Sequence, residues 1–111
     1  MHPGESNASF IIEGFLEFLV GNEKEAKGLR DIFVFKVVPM LNPDGVIVGN
    51  YRSNLSGLDL NRQWQNPSLK QSPEIYAMKE MIRKTLECRD LHLFVDIHGH
   101  SRQKNAFLYG C

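Results

Sequence analysis

His2 and Glu5 stand three positions apart in the opening stretch MHPGES, with Pro3 and Gly4 fixing the backbone between them. An imidazole and a carboxylate at that spacing are two potential ligands of a divalent metal. A third lies far along the chain, in DIHGHS, where His98 and His100 are both available. Two histidines and one carboxylate leave a fourth tetrahedral position for water, the donor set of a hydrolytic zinc centre and not of a closed structural one. Zinc so held lowers the pKa of its water and polarises a substrate carbonyl. Alone, His-x-x-Glu is a weak signal, because surface His and Glu at that spacing are common. His98 and His100 are two apart, so on an extended segment both side chains point to one face and either can reach the metal. His92, inside the preceding apolar run, reads as a packed structural histidine.

The stretch GNYRSNLSGLDLNRQW adds Arg52 and the pair Asn61-Arg62. Guanidinium forks suit the holding of a carboxylate or the polarising of a carbonyl. Asp59 can orient an imidazole by accepting from its far ring nitrogen. For any single arginine the solvated loop residue is the commoner case, so the weight falls on the set.

These residues need elements to position them. SNASFIIEGFLEFLVGN offers Ser6 or Ser9 as an N-cap, apolar Phe10, Ile11, Phe15, Phe18 and Leu19 at helical spacing, and Gly21-Asn22 as a stop. EKEAKGLRD adds a short exposed helix. IFVFKVVPM, from Ile32, is a β-branched and aromatic run expected to form a strand buried on both faces. NPDG at 42 to 45 then reads as a type I turn, with a short strand expected at Val46–Val48 and a site loop reaching Ser72. In SPEIYAMKEMIRKTLECRD, Ser72 caps, Pro73 takes the first helical position, and Ile75, Met78, Met81, Ile82 and Leu86 make one apolar stripe. Glu74, Glu80 and Glu87 fall on that helix as its solvated face. LHLFVDIH is expected to be a second buried strand, GHSRQKN a loop and AFLYGC a third strand. Helices alternating with strands imply an α/β fold, a partial three-layer α/β/α arrangement with a mixed, largely parallel sheet. Ligands gather at the carboxyl ends of such strands, where NPDG and HGHS both lie.

Composition excludes several classes. Thirteen basic and thirteen acidic side chains give a formal net charge of zero without clusters, so neither nucleic acid nor an anionic membrane is an expected partner. The apolar runs are far shorter than the roughly 20 residues that cross a bilayer. Two cysteines, Cys88 and Cys111, argue against a disulfide framework and for a reducing compartment. Asn7 and Asn54 sit in the glycosylation acceptor pattern, which recurs by chance.

HPGE, NPDG, YR, DLNRQW and DIHGHS, in this order, resemble the zinc metallocarboxypeptidases of the carboxypeptidase A type. HPGESNAS, FVFKVVPMLNPDGVIVGNYR, DLNRQWQ and HGHSR resemble the cytosolic carboxypeptidase branch over nearly the whole chain. The resemblance implies that His2, Glu5 and His98 bind one zinc ion and that Asp59 lies behind His2. It implies that Asn61 and Arg62 anchor the substrate's terminal carboxylate, and that Arg52 polarises the scissile carbonyl and stabilises the oxyanion. His100 becomes a pocket residue. The implied substrate is a peptide or protein C-terminus, in this branch a glutamate-rich tail such as that of tubulin. The implied location is cytoplasmic and cytoskeleton-associated.

The family also uses a glutamate general base and a capping tyrosine, which match nothing up to Cys111; Tyr109 is not a candidate. Residues 1–111 are therefore expected to be an incomplete catalytic domain, poorly soluble and inactive in isolation, its strands lacking neighbours. Two other readings share some of these residues: a zinc amidohydrolase of the aspartoacylase or succinylglutamate desuccinylase type, and a non-catalytic binding module that has kept the fold.

Overall fold

A computed structural model describes residues 1–110; Cys111, at the end of the expected third strand, lies outside the described residues. Four helices form: α1 (Ser6–Val20), α2 (Lys24–Ile32), α3 (Pro43–Val48) and α4 (Pro73–Leu86), with a 3-10 turn at Leu60–Arg62. Helix α1 starts directly after Glu5, and neither Ser6 nor Ser9 caps it. The Glu5 carboxylate, next to the free N–H groups of that first turn, is turned instead toward the histidines. At the other end Gly21 closes the helix in extended backbone, and Arg30 of α2 donates to the carbonyls of Leu19 and Gly21. A side chain from the next helix thus satisfies carbonyls that the helix end leaves without partners.

The strand expected at Val46–Val48 is the second half of α3. Pro43 stands at the start with φ preset for a helix, and Asn42 Oδ1 accepts from Gly45 N at 3.0 Å. Gly49, at φ 84°, closes the far end in the left-handed region, where a side chain would be strained. Signals at both ends outweigh the β preference of Val46-Ile47-Val48, which is only a weak prior. Helix α4 has the expected Ser72 and Pro73 boundary, but the Ser72 hydroxyl turns back to Ser68, accepting from its N–H and donating to its carbonyl.

HPGE packs onto α3 and the loop that follows it. Gly4 N donates to Tyr51 O at 2.8 Å, and a Cβ on Gly4 would lie 2.5 Å from Tyr51 Cδ2 and 2.8 Å from Tyr51 O. A Cβ on Gly45 would meet Pro3 Cγ at 2.6 Å. The approach that sets His2 and Glu5 against the loop therefore needs glycine at both positions. Gly4→Ala is expected to cost about 1–3 kcal/mol of stability through overpacking, read as a lower urea midpoint at unchanged slope.

The loop is ordered by buried asparagines. Asn54 is 3% exposed; its Oδ1 accepts from Ser56 N and Leu58 N, and its Nδ2 donates to Gln71 O. Asn42, 1% exposed, donates to Ser53 O next to Arg52. These bonds fix the path between Arg52 and Asp59.

Residues 33–38 and 91–98 run without helix, and no strand ladder is formed among the described residues. Phe33 packs edge-on against His92, ring centroids 5.8 Å apart, and Lys36 Nζ donates to Thr85 Oγ1 at 2.8 Å. The burial expected of these runs is not met: Val34 and Val95 are exposed, as is His92, which the sequence suggests is packed. On α1 only Leu19 is buried, while Phe10, Ile11, Phe15 and Phe18 stay open. Buried apolar side chains are confined to Leu19, Ala26, Leu60 and Ile75 among the described residues. The radius of gyration, 15.4 Å, exceeds the roughly 13 Å of a compact chain this long.

Candidate metal centre

The end of α1's lead-in, the loop after α3 and the segment ending at His98 meet at one point. His2, only 6% exposed, presents Nδ1 to Glu5 Oε1 at 3.0 Å, and His98 presents Nδ1 to Glu5 Oε2 at 3.0 Å. The two imidazoles lie with centroids 4.9 Å apart, tilted by 46°. One donor atom from each of His2, Glu5 and His98 falls within 4.8 Å of the others. Two ring nitrogens and a carboxylate fit zinc by their chemistry. Both far nitrogens are occupied in the way metal-bound imidazoles require: His2 Nε2 lies 2.9 Å from Asp59 Oδ1, and His98 Nε2 lies 2.7 Å from Asp96 Oδ2. A carboxylate can only accept, so each Nε2 carries a proton, and each Nδ1, facing Glu5, is the nitrogen that would lose its proton to give an ion a lone pair.

Asp59 serves several groups at once. Its Oδ1 takes His2 Nε2 and Asn61 N, and its Oδ2 takes Arg52 Nε at 2.7 Å. Burial alone would raise its carboxyl pKa, but the bonds from His2, Arg52 and Asn61 and the charge of His2 prevail and hold it below the usual range. Glu5 follows the same pattern. Burial pushes it up, while the Gly99 N–H at 2.7 Å, the His98 bond and the charges of both histidines bring it down. Carboxylates depressed in the folded state stabilise it above their unfolded pKa and lose that contribution as pH falls through the folded value. The metal-free urea midpoint is therefore expected to be flat above about pH 5 and to fall below it, and Asp59→Asn to make that acid limb shallower. The same variant is expected to weaken zinc binding about 10–100-fold in chelator competition.

The other site residues are placed unequally. Arg52 Nη1 is 4.0 Å from Glu5 Oε1 and its side chain is 43% exposed, so the guanidinium is tied through Nε to Asp59 and otherwise stays partly open to solvent. Asn61 Nδ2 lies 3.4 Å from His98 Nε2. Arg62 is exposed, donating to the Asn61 carbonyl at 3.4 Å, and is not brought against the histidines. His100 turns away: its ring packs on Phe107 and Tyr109, and its Nδ1 accepts from Arg102 N and Gln103 N. Sequence reasoning missed three participants. Asp96 was legible as an acid two residues before His98 on an extended segment, hence on one face with it. Gly99 and Trp64 left no local signal of their contacts with Glu5 and Asn61.

A family model described as zinc carboxypeptidase matches residues 1–110. The chain belongs to the zinc carboxypeptidase family. Within it, the chain is 58% identical to cytosolic carboxypeptidase 2 of Mus musculus and 54% identical to cytosolic carboxypeptidase 3 of Bos taurus, in each case over all of this chain. It covers 13% and 11% of those relatives, and 9% of human cytosolic carboxypeptidase 1, to which it is 54% identical. Among solved structures, a metallo-carboxypeptidase from Burkholderia cenocepacia superposes with a TM-score of 0.70 at 40% identity, covering 75% of this chain and 23% of that one. A carboxypeptidase-like chain from Burkholderia mallei reaches a TM-score of 0.82 at 40% identity, covering 89% of this chain and 26% of that one. The arrangement is that of the zinc carboxypeptidase fold, and the family implies an enzyme that uses zinc.

Proposed function

We propose that this chain carries the zinc ligands and the carboxylate clamp of a metallocarboxypeptidase acting on protein C-termini, with residues 1–111 part of its catalytic domain. The observation that carries the reading is the convergence of His2 Nδ1, His98 Nδ1 and the Glu5 carboxylate beside an arginine with a free edge. Zinc, when bound there, supplies a Lewis acid for the carbonyl and a water of lowered pKa. Arg52, with Nε tied to Asp59, offers its remaining N–H groups to the oxygen of the scissile carbonyl. Asn61 and Arg62 hold the terminal carboxylate, an anion that an internal peptide bond lacks. Glu5 and Asp59 are committed to the histidines, so no described residue is assigned as proton acceptor.

For the substrate we propose acidic, glutamate-bearing tails such as those of tubulin, met in the cytoplasm. Support comes from the 51–58% identity to proteins named cytosolic carboxypeptidases. It also comes from a metallo-carboxypeptidase of Pseudomonas aeruginosa, 35% identical, solved with a guanidinoethylmercapto derivative of succinic acid, a dicarboxylate. Arg102 and Lys104 are exposed on the loop after His98 and supply positive charge on that side. The sheet expected from the sequence remains part of the same proposal: residues 33–38 and 91–98 would pair as largely parallel strands in the assembled catalytic domain. The test is release of C-terminal glutamate from peptides by the protein at its full natural length, zinc-loaded and chelated. Zinc-dependent release from a free C-terminus and none from an amidated one supports the reading. Cleavage of N-acyl amino acids with no peptide cleavage would replace it with an amidohydrolase.

A further inference from the structure

The Asn61 carboxamide is gripped at both ends. Its Oδ1 accepts from the Trp64 indole Nε1 at 3.2 Å, and its Nδ2 faces His98 Nε2 at 3.4 Å. An indole nitrogen only donates, so the atom it meets must be the oxygen. The other end is less comfortable. His98 turns Nδ1 to Glu5 and sets Nε2 2.7 Å from Asp96 Oδ2, so Nε2 carries a proton. Asn61 Nδ2 and His98 Nε2 are therefore two donors facing each other. By itself the amide would gain by turning over, so that its oxygen accepted from His98. Trp64 opposes that turn, because it would bring the Asn61 NH2 group against the indole N–H.

The indole is itself held. Its ring stands edge-on to Phe94, centroids 5.8 Å apart at 85°, and Lys79 Nζ donates to the carbonyls of Trp64 and Gln65 at 2.7 and 3.2 Å. On the other flank Asp59 Oδ1 accepts from Asn61 N at 2.9 Å. Backbone and ring are fixed on both sides of the amide, leaving its orientation to the indole bond.

We infer that Trp64 is a positioning residue for the clamp: by holding Asn61 Oδ1 it leaves the NH2 group as the end of the amide that can donate to a ligand, so that the site prefers a carboxylate end to a carboxamide end. The inference rests on the proposal that Asn61 touches the ligand. A carboxylate accepts from that NH2 group; the turned-over amide would present an oxygen, which repels a carboxylate and accepts from a carboxamide.

The experiment compares wild type, Trp64→Phe and Asn61→Ala in the zinc-loaded protein at its full natural length. A fourth protein carries benzothienylalanine at position 64, which keeps the bicyclic shape, deletes only the N–H, and decides the matter if phenylalanine impairs folding. Removing the indole N–H is expected to raise KM for a free-ended peptide about tenfold, with kcat within about twofold and zinc stoichiometry unchanged. The ratio of inhibition constants for acetylglutamate and its α-carboxamide is expected to move toward one. Unchanged KM and ratio on losing the N–H, with KM raised by Asn61→Ala, would overturn the role of Trp64 and leave the clamp standing. Unchanged KM in Asn61→Ala would overturn the clamp and this inference together.

Discussion

Arg52→Ala is expected to lower kcat about 10²–10³-fold, or about 3–4 kcal/mol of barrier, with zinc still bound at one ion per chain. Two facts set this size. The Arg52 Nε bond to Asp59 Oδ2 is 2.7 Å, which fixes the plane of the guanidinium before any substrate arrives. Its other edge lies toward the centre, with Nη1 4.0 Å from Glu5 Oε1. A donor so placed meets developing negative charge without having to reorganise. Zinc should stay because Asp59 keeps His2 through its other oxygen, 2.9 Å from Nε2. Arg52→Lys is expected to recover little, since an ammonium cannot serve Asp59 and a carbonyl oxygen in the fixed geometry of the fork. The measurements are kcat on a free-ended peptide and zinc by mass spectrometry. Loss of zinc along with activity would make Arg52 a support of the metal ligands and not a group that acts on the substrate.

His98→Ala is expected to weaken zinc binding on the order of a thousandfold, while His100→Ala leaves it unchanged. Two of three protein ligands cannot hold the ion against solvent, and Glu5 Oε2 would lose its 3.0 Å contact with His98, keeping only that with Gly99 N. His100 packs against Phe107 and Tyr109, centroids 5.3 and 6.3 Å away, so its removal alters a loop and not the donor set. Chelator competition on the two variants separates the outcomes. Zinc retained without His98 and lost without His100 would reverse the assignment.

Three of the four helices, α1, α2 and α4, were legible from local signals. Pro73 after Ser72 begins α4, and Gly21 ends α1, because caps act on the residues beside them. The same locality explains the error at Val46–Val48, where β-branched residues suggested a strand and the end signals of a short helix prevailed. Burial was less legible. Residues 33–38 and Phe10 to Phe18 have the apolar character of a core, yet they are largely exposed here, since burial is a property of what packs against a face.

Residue type and spacing by themselves determined the donor set: His-x-x-Glu, the Asp-x-Asn-Arg run and a later His-x-His are choices of chemistry written in order along the chain. The tertiary structure decided which histidine faces Glu5 and through which nitrogen. It also showed that Asp96 stands behind His98 and that the Trp64 indole N–H donates to Asn61 Oδ1. Glu5 and His98 are 93 positions apart, and His2 and Asp59 57 apart. Periodicity and caps reach only across a turn or two, whereas the tautomer of an imidazole and the face of an amide depend on donors and acceptors brought near in space.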